Sequence, residues 1–520
     1  MSWWWLLIGP VAVYLVVALG QELLAYLRCT KYRSQGFVQH FACFMGQTKF
    51  FLPDRSKDPD IWSRYKRIPA LAGKAPGLVV NSSPRGKAYV YLTDPALVHE
   101  FYLREHEVTK KHEFSPDKRH YLDNFPFNVG PAAEAQRESF ISFFKRDTLV
   151  DMLQYLQRDV QDHVRRVQRT AQETGTSKND RFTADWKKPN YELLDHITNT
   201  VVFGYSSEPV RVPTDGNKFF CEALKDYLEG PYVATLNSSV NNWLCGIPLK
   251  LNLFQSGRQE AALRGALRSI MEQQFNQRAQ DSGYKPRPCL VDFRLGLARQ
   301  TSARLPVCPT DLLMRETGMY MIASINTTNR LMCGVFYNLA LYPHVADKLY
   351  AELCKHGLGA GSTKQPTLEL LESLTYFDAV LQESMRTLPV FSGSFGRIVL
   401  EDFSLGQYNF YKGDVVQVPF TPQFFREEYF PNPERFDPDR FVGGLPASVP
   451  PMAYIPFGVG RRMCLGRFLG EAIVKLFVID VLRQFELSLP DGAAPAKWQA
   501  SETGWFRENY SVVCKRRTQQ

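Results

Sequence analysis

Paired or clustered cysteines are missing from this chain of 520 residues. Its ten cysteines form no Cys-x-x-Cys pair and no Cys/His group, so their spacing argues against a zinc site. Scattered cysteines fit a reducing compartment better than a disulfide framework. The sequence also lacks internal repeats and low-complexity stretches, and no obvious linker divides it after residue 40.

The chain has no block of Lys and Arg either. Its 62 basic and 53 acidic residues leave a net charge of +9, which is spread along the sequence. Without a recognised motif, this excess gives little support for nucleic-acid binding, and it suits an anionic membrane or an acidic redox partner better. Hydrophobic residues make up 44% and charged residues 22%, which is typical of a globular protein with a sizeable core.

The N-terminal segment is apolar. The run Trp3 to Gly20 carries no charge, and basic residues follow it at 28, 31 and 33. This pattern predicts an uncleaved membrane anchor with the N-terminus outside and the rest of the chain in the cytosol. A cleaved signal peptide is the alternative, because small residues lie near the end of the run, but its usual basic n-region is absent.

Helical periodicity dominates the remainder. An irregular apolar stretch at 229–253 suggests a second membrane contact or an entrance flap, and a buried loop is the alternative. The fold class expected is mainly α with a small β region. The predicted elements are strands Leu78 to Asn81 and Lys87 to Leu92, a helix opening at Asp94-Pro95, a long apolar helix from about Asp311 to Leu341, helices at 344–356 and 375–388, and short strands within 395–420.

One cysteine lies in a distinctive run. The segment Phe457 to Gly466 reads Phe-x-x-Gly-x-Arg-x-Cys-x-Gly and is followed by an apolar helix from Phe468 to Leu482. Glycines allow backbone amides to approach the sulfur of Cys464, and the start of a helix favours a thiolate. Such a thiolate suits an axial ligand of haem iron. The alternative is a buried structural cysteine.

Two further motifs precede this loop. Glu383 and Arg386 lie on one helix face and can pair. An arginine of the Pro-rich stretch 431–441 could join them in a buried network. In this order and spacing, Glu383-x-x-Arg386, the element Pro433-Glu434-Arg435-Phe436 and the cysteine loop resemble the cytochrome P450 family, over roughly residues 75 to 515.

The resemblance implies one triangular, mainly helical fold that encloses one haem b, with Cys464 as the axial iron ligand. Buried haem propionates need cationic partners. The resemblance implies that Arg462 and Arg397 are two of them. Arg137 stands where the family has a Trp-x-x-x-Arg element, although Ala133 replaces the tryptophan. The residues expected around the haem are Cys464, Arg462, Arg397, Arg137, Phe457, Gly458 and Gly466, and a structural network is expected from Glu383, Arg386 and Arg435.

The long helix would form the distal wall over the haem. It contains Ala323-Ser324-Ile325-Asn326-Thr327-Thr328, in which Thr327 occupies the place of the family's oxygen-activating threonine. Ser324 replaces a glycine and Asn326 replaces an acid, so a carboxylate that could relay protons is missing. The alternative is a polar patch that satisfies its own helix backbone.

The resemblance favours a membrane-anchored haem monooxygenase of the endoplasmic reticulum. It would oxidise a bulky lipophilic substrate, such as a sterol, terpenoid, polyketide or fatty acid, with O2 and electrons from an NADPH-cytochrome P450 reductase. A peroxide isomerase or dehydratase without a reductase is the main alternative, and a haem sensor or carrier is a third. The expected organisation is an anchor at 1–27, a membrane-proximal linker at 28–74 and a catalytic domain at 75–515.

Overall fold

The structure is a computed structural model. It describes residues 16, 19–20, 23–40, 75, 77–82, 87–111, 131–173, 177–178, 180–204, 223, 255–280, 286–300, 311–391, 393–394, 396–493, 496, 498–500, 504–506 and 510–517. Within these ranges, no helix combines the length and the hydropathy that crossing a bilayer requires. Most of the predicted span Trp3 to Gly20, and the whole of the apolar stretch 229–253, lie outside them.

Helices account for most of the described chain, as the sequence predicts. The N-terminal helix α1 covers residues 23–33. The others, in chain order, are α2 (Pro95–Val108), α3 (Pro131–Phe143), α4 (Arg146–Glu173), α5 (Lys187–Phe203), α6 (Gln255–Gln280), α7 (Leu290–Gln300), α8 (Asp311–Leu341), α9 (Pro343–Lys355), α10 (Leu368–Ser373), α11 (Thr375–Thr387), α12 (Thr421–Phe424) and α13 (Arg467–Gln484).

The long helix α8 runs for 31 residues through the centre and ends just before Pro343, which cannot continue a helix. It packs against α5, α11 and α13. An aromatic cluster marks the centre of this packing: the Trp186 ring lies 5.0 Å from Phe336 of α8 and 5.7 Å from Phe477 of α13. These large buried rings hold the two helices on either side of one core.

The strands form a small β region beside the helices. A six-stranded sheet has the order β1-β2-β3-β10-β7-β4, and a four-stranded sheet has the order β11-β14-β6-β5. The first sheet contains β1 (Val38–His40), β2 (Gly77–Ser82), β3 (Lys87–Leu92), β4 (Thr109–Lys111), β7 (Arg397–Val399) and β10 (Val415–Gln417); the second contains β5 (Ser177–Lys178), β6 (Arg181–Ala184), β11 (Phe485–Ser488) and β14 (Val512–Arg516). Two hairpins complete the set, β8 (Phe403–Leu405) with β9 (Tyr408–Phe410), and β12 (Trp498–Ala500) with β13 (Gly504–Phe506).

The turn into α2 follows the predicted signals. β2 and β3 pair antiparallel, with Val79 opposite Val90. Asp94 then caps α2 by accepting the N–H of Leu97 at 2.9 Å, and Pro95 occupies the first turn, where its missing N–H costs nothing. The short helix α10 and the second sheet were not predicted, because short elements carry little periodicity.

Candidate active site

The cysteine run folds into a compact loop. The N–H of Cys464 donates to the carbonyl of Phe457 at 2.9 Å, and the N–H of Gly458 donates to Ile455 at the same distance. Gly458 has φ +69°, a left-handed backbone that a side chain would strain. Gly466 then stands at the N-cap of α13. The loop therefore presents Cys464 immediately before a helix, as the sequence predicts.

Cys464 lines an internal surface. Its side chain is solvent-accessible, yet burial raises the pKa of its thiol, while a hydrogen bond from the Gly466 N–H and the charge of Arg137 act to lower it. The sulfur is therefore open to a ligand although protein atoms surround most of it. The sequence led us to expect a thiol favoured as thiolate by the helix start. Desolvation outweighs these polar contacts in the protein alone, and the expected thiolate, which concerns the iron-bound sulfur, stays a prediction.

The middle of α8 is also accessible. Between Leu313 and Ala340, the described side chains of α8 are buried except those of Ala323, Ser324 and Thr327, which lie on one face. A Cβ on Gly470, in the first turn of α13, would come within 4.0 Å of Thr328 Oγ1. At Thr328, next to the accessible Thr327, α8 therefore passes beside the first turn of the helix that follows Cys464.

The hydroxyl of Thr327 donates to the carbonyl of Ala323 at 2.6 Å. This bond is the one expected of a polar patch that satisfies its own backbone. The hydroxyl oxygen still has lone pairs that can accept a hydrogen bond from a water or ligand placed beside this accessible part of α8. Thr327 can thus position a water or a ligand without giving up its contact with the helix.

Asn326 is buried, whereas the neighbouring Thr327 is partly exposed. The amide oxygen of Asn326 accepts a hydrogen bond from the hydroxyl of Tyr191, on α5, at 3.4 Å. The position that holds an acid in the resemblance is therefore occupied by a neutral amide in contact with a phenol. No sequence signal pointed to Tyr191, which is separated from Asn326 by 135 positions.

Three arginines gather next to the cysteine loop. Arg137 donates from Nη2 to the carbonyl of Met463 at 2.7 Å. Burial and the neighbouring charge of Arg462 lower the pKa of Arg137 to about 10, and the Cys464 thiolate opposes this shift. Burial, followed by the charge of Arg397, likewise lowers the pKa of Arg462. The tertiary structure thus brings together the three arginines that the sequence predicted as anion partners.

The carboxylates nearby satisfy these arginines only in part. Arg397 Nε donates to Glu105 Oε2 at 2.7 Å, and both side chains are buried. Arg462 Nη2 lies 3.5 Å from Glu134 Oε1, whereas its Nη1 is buried without a hydrogen-bond partner among the described residues. A buried guanidinium N–H requires an acceptor. The residues present therefore fit an anionic group such as a haem propionate.

The network around Glu383 supports the segment that leads to the loop. Arg386 donates from Nε and Nη2 to the two carboxylate oxygens of Glu383, at 2.7 and 2.8 Å, and neither side chain is exposed. Arg386 also donates to the carbonyls of Phe424 and Arg435, and the N–H of Asp437 donates to Glu383. This bidentate pair fastens α11 to the Pro-rich stretch.

The expectation that Arg435 supplies the third side chain is wrong. Its side chain is 72% exposed, and its Nε lies 3.8 Å from Asp437 Oδ2. Arg440 instead places its Nε 3.5 Å from Glu383 Oε1, with a side chain that is 12% exposed. Arg435 contributes its main-chain carbonyl. The sequence contains Pro-acid-Arg-Phe twice, at 433–436 and 438–441, and the second copy is the signal that we missed.

Arg435 and Arg440 provide a matched test of the network around Glu383. Arg440→Ala should lower the free energy of unfolding by about 1–3 kcal/mol, because it removes a cation from a buried carboxylate. Arg435→Ala should change it by less than about 0.5 kcal/mol, because alanine keeps the carbonyl that Arg386 uses. Urea titrations of both variants check this. A larger loss in Arg435→Ala than in Arg440→Ala would contradict the assignment.

The sequence model of the family described as Cytochrome P450 matches residues 62–512. The chain belongs to the cytochrome P450 family. This P450 is 34% identical to the lithocholate 6-beta-hydroxylase of Mesocricetus auratus over 170 residues, which cover 32% of this chain and 33% of that protein. It is 30% identical to the steroid 17-alpha-hydroxylase/17,20 lyase of Ictalurus punctatus over 215 residues, or 40% of each chain. The aligned segments thus span at most two fifths of these relatives.

The fold agrees with solved structures of the same family. The retinoic acid-bound cyanobacterial CYP120A1 matches with a TM-score of 0.67, covering 90% of this chain and 96% of that chain at 18% identity. At this identity the likeness shows the fold alone. Membership of the family implies haem b as the cofactor, and the free Arg462 Nη1 and the accessible Cys464 fit that group.

Proposed function

We propose that this P450 is a haem-thiolate monooxygenase that oxidises a bulky lipophilic substrate with O2 and electrons from an NADPH-cytochrome P450 reductase. One observation supports the proposal: Cys464, just before α13, is accessible, and the first turn of α13 contacts α8 at Thr328, next to the accessible Thr327. A carrier or sensor has no need of a thiolate ligand combined with a hydroxyl on the opposite wall.

Each residue has a defined task in this proposal. Bound through Cys464, haem b supplies the activation of O2, so that one oxygen atom enters the substrate and the other becomes water. Arg137, Arg397 and Arg462 neutralise the propionates. Phe457, partly buried with the Arg467 guanidinium 5.3 Å from its ring centre, packs the loop that carries the ligand. The hydroxyl of Thr327 holds the water that delivers protons, and Asn326 keeps a neutral amide at the place of an acid.

A sterol or steroid is the substrate class that the relatives favour, because the names of two of them describe a steroid hydroxylase and a lithocholate hydroxylase. Terpenoids, polyketides and fatty acids fit the same apolar chemistry. The loops that set selectivity in the family, near 105–130, 205–255 and 390–395, lie largely outside the described residues. The relatives, rather than the shape of a pocket, therefore support this choice.

The proposal includes a membrane location, in the endoplasmic reticulum, with the catalytic domain in the cytosol. The uncharged run Trp3 to Gly20 and the basic residues that follow it support an anchor at 1–27. The net charge of +9 suits an anionic lipid surface or an acidic reductase. The catalytic domain would cover 75–515, with residues 28–40 of the membrane-proximal segment packed on it.

A peroxide isomerase or dehydratase is the second candidate. Asn326 favours it, because chemistry on a preformed peroxide needs no proton-relaying acid. The deciding experiment gives purified protein either a reductase with NADPH and a sterol library, or an organic hydroperoxide. Substrate-dependent consumption of NADPH and O2 with formation of a hydroxylated product supports the monooxygenase. Rapid rearrangement of the hydroperoxide, without consumption of NADPH, supports the isomerase.

Replacing the distal hydroxyl tests the role of Thr327. Thr327→Ala should lower the share of NADPH electrons recovered in product several-fold and release hydrogen peroxide instead, because the proton-delivering water loses its partner. Thr327→Ser, which keeps a hydroxyl, is the matched control and should retain most of the coupling. The measurement is the ratio of product and peroxide to NADPH consumed. Equal ratios in the alanine variant and the parent would remove the proposed role.

A further inference from the structure

A buried carboxylate joins the N-terminal helix to the sheet. Asp414 is fully buried and accepts three hydrogen bonds: from Arg28 Nη1 at 2.9 Å, from the Tyr32 hydroxyl at 3.0 Å and from the N–H of Ala88 at 3.0 Å. Two of these donors belong to α1 and the third to β3. Arg28 Nη1 also donates to the carbonyl of Lys412 at 3.2 Å. We call this arrangement the Asp414 clamp.

The inner face of α1 continues the contact. Ala25, Cys29 and Tyr32 follow one another at helical spacing and are fully buried. The Tyr32 ring lies 5.4 Å from Tyr411 and 5.6 Å from Phe37. After the helix, β1 pairs parallel with β2, so the chain enters the six-stranded sheet. The helix is therefore part of the folded domain and is not a free tether.

The outer face of α1 and the described residues just before it are apolar and exposed. The described residues between 16 and 27 present six large apolar side chains to solvent, with exposed fractions between 38% and 69%. They are Val16, Leu19, Leu23, Leu24, Tyr26 and Leu27. Monomeric soluble proteins rarely leave such a patch uncovered, so this surface requires a partner.

The sequence around this patch favours a lipid bilayer as the partner. The patch overlaps the end of the uncharged run Trp3 to Gly20 and stops just before three basic residues, of which Arg28 bonds to Asp414 while Lys31 and Arg33 are exposed. Apolar side chains followed by cations match the acyl region and the anionic headgroups of a membrane. From Leu23 to Arg33, α1 rises roughly 15 Å, which is enough to pass from the acyl chains to the outer headgroups.

We propose that the exposed apolar side chains of α1 and of the described residues just before it form a bilayer-contact surface fixed to the catalytic domain, and that the Asp414 clamp sets the orientation of the domain on the membrane. This inference rests on the membrane association proposed above. It adds the residues that contact the bilayer and a fixed link between α1 and the six-stranded sheet. A flexible linker would let the domain tumble relative to its anchor. A docked helix transmits the tilt of the anchor to the sheet, because undocking it would take two hydrogen-bond donors away from the buried carboxylate of Asp414.

The first experiment measures the coupling in the full-length haem protein in nanodiscs of phosphatidylcholine and phosphatidylserine. A ketone-bearing amino acid replaces Leu24 and another replaces Gln407, at an exposed position of the β8–β9 hairpin, and each carries a nitroxide, which spares the native cysteines. Pulsed electron paramagnetic resonance should give one narrow distance distribution. The double variant Arg28→Gln/Tyr32→Phe should broaden it, because both helix donors of the clamp are lost.

The control is Lys31→Gln, which removes the same charge from the same helix but no bond to Asp414; its ammonium lies 4.7 Å from the Tyr411 ring centre. It should leave the distribution narrow. A narrow distribution in the double variant as well would overturn the clamp. Hydrogen exchange of the unaltered protein provides a second measurement that needs no folded variant: amides 25–33 should be protected in detergent, and rapid exchange there would also overturn it.

The second experiment locates the surface. A fluorophore at position 24 should be quenched by nitroxides placed deep in the acyl chains, whereas one at Arg33, which is exposed, should be quenched by headgroup nitroxides. Absence of quenching at position 24, together with cross-linking between two copies, would assign the patch to a protein contact and overturn the lipid assignment. Failure of the protein to float with vesicles at all would remove the membrane association itself. None of these readouts depends on turnover, so they are independent of the monooxygenase proposal.

Discussion

Cys464→Ser should abolish the absorption band of the reduced carbon monoxide complex that marks haem-thiolate proteins, and with it all detectable substrate oxidation. The reason is chemical: a serine hydroxyl has neither the softness nor the acidity of a thiol as an iron ligand. Cys464 is also held in place, since its backbone N–H donates to the carbonyl of Phe457 and its sulfur accepts a hydrogen bond from the Gly466 N–H. The difference spectrum of purified protein, with haem content measured separately, gives the answer.

Cys354→Ser is the matched control for this experiment. Cys354 is likewise exposed and unpaired among the described cysteines, but it lies on α9, where the sequence has none of the features of the cysteine loop. Its replacement should leave the band and the haem content unchanged. Survival of the band in Cys464→Ser, or its loss in Cys354→Ser, would overturn the ligand assignment and with it the proposed chemistry.

Glu383→Ala should be the most destabilising of the substitutions considered. It leaves the guanidinium of Arg386 buried without its carboxylate, and breaking such a pair from one side costs about 3–5 kcal/mol. It also removes the acceptor for the Asp437 N–H and the partner of Arg440. We therefore expect poor recovery of folded protein and release of haem at low urea concentration. The urea dependence of circular dichroism and of haem absorbance measures both.

The control uses an exposed pair with the same spacing. Asp162 and Arg165 lie three positions apart on α4 and form an ion pair with side chains that are 44% and 60% exposed. Because solvent screens such a pair, Asp162→Ala should cost less than about 1 kcal/mol. A loss in Glu383→Ala as small as that in Asp162→Ala would show that the Glu383–Arg386 pair does not hold α11 to the Pro-rich stretch.

The helical content and the cysteine loop could be predicted because their signals are local. The loop from Phe457 to Gly466 depends on glycine conformations and on a helix start within a few residues, and the apolar run from Asp311 to Leu341 is long enough to exclude a strand. The first hairpin and the cap at Asp94 follow from turn residues that act on their immediate neighbours. In each case the physical interaction spans only a few positions.

Pairing across the chain could be predicted only in part. The arginines at 137, 397 and 462 were expected together because of the family resemblance, and nothing in their spacing requires it. The resemblance also led to Arg435, where two similar tetrapeptides lie five positions apart and burial selects Arg440. No local rule distinguishes these two arginines, because the choice depends on which side chain the folded Pro-rich stretch turns toward Glu383.

The amino-acid sequence was sufficient for the mainly helical fold class, for the long helix α8 and for the loop that carries Cys464, the proposed iron ligand, since each depends on short-range backbone preferences and on the period of apolar residues. Only the tertiary structure placed Arg440 beside Glu383, brought Tyr191 to Asn326 and closed the Asp414 clamp on α1. These contacts join residues 57, 135 and 386 positions apart in the chain, and the first also requires a choice between two similar arginines. Their partners are decided by the packing of whole helices and sheets, and that packing is not written in any short segment.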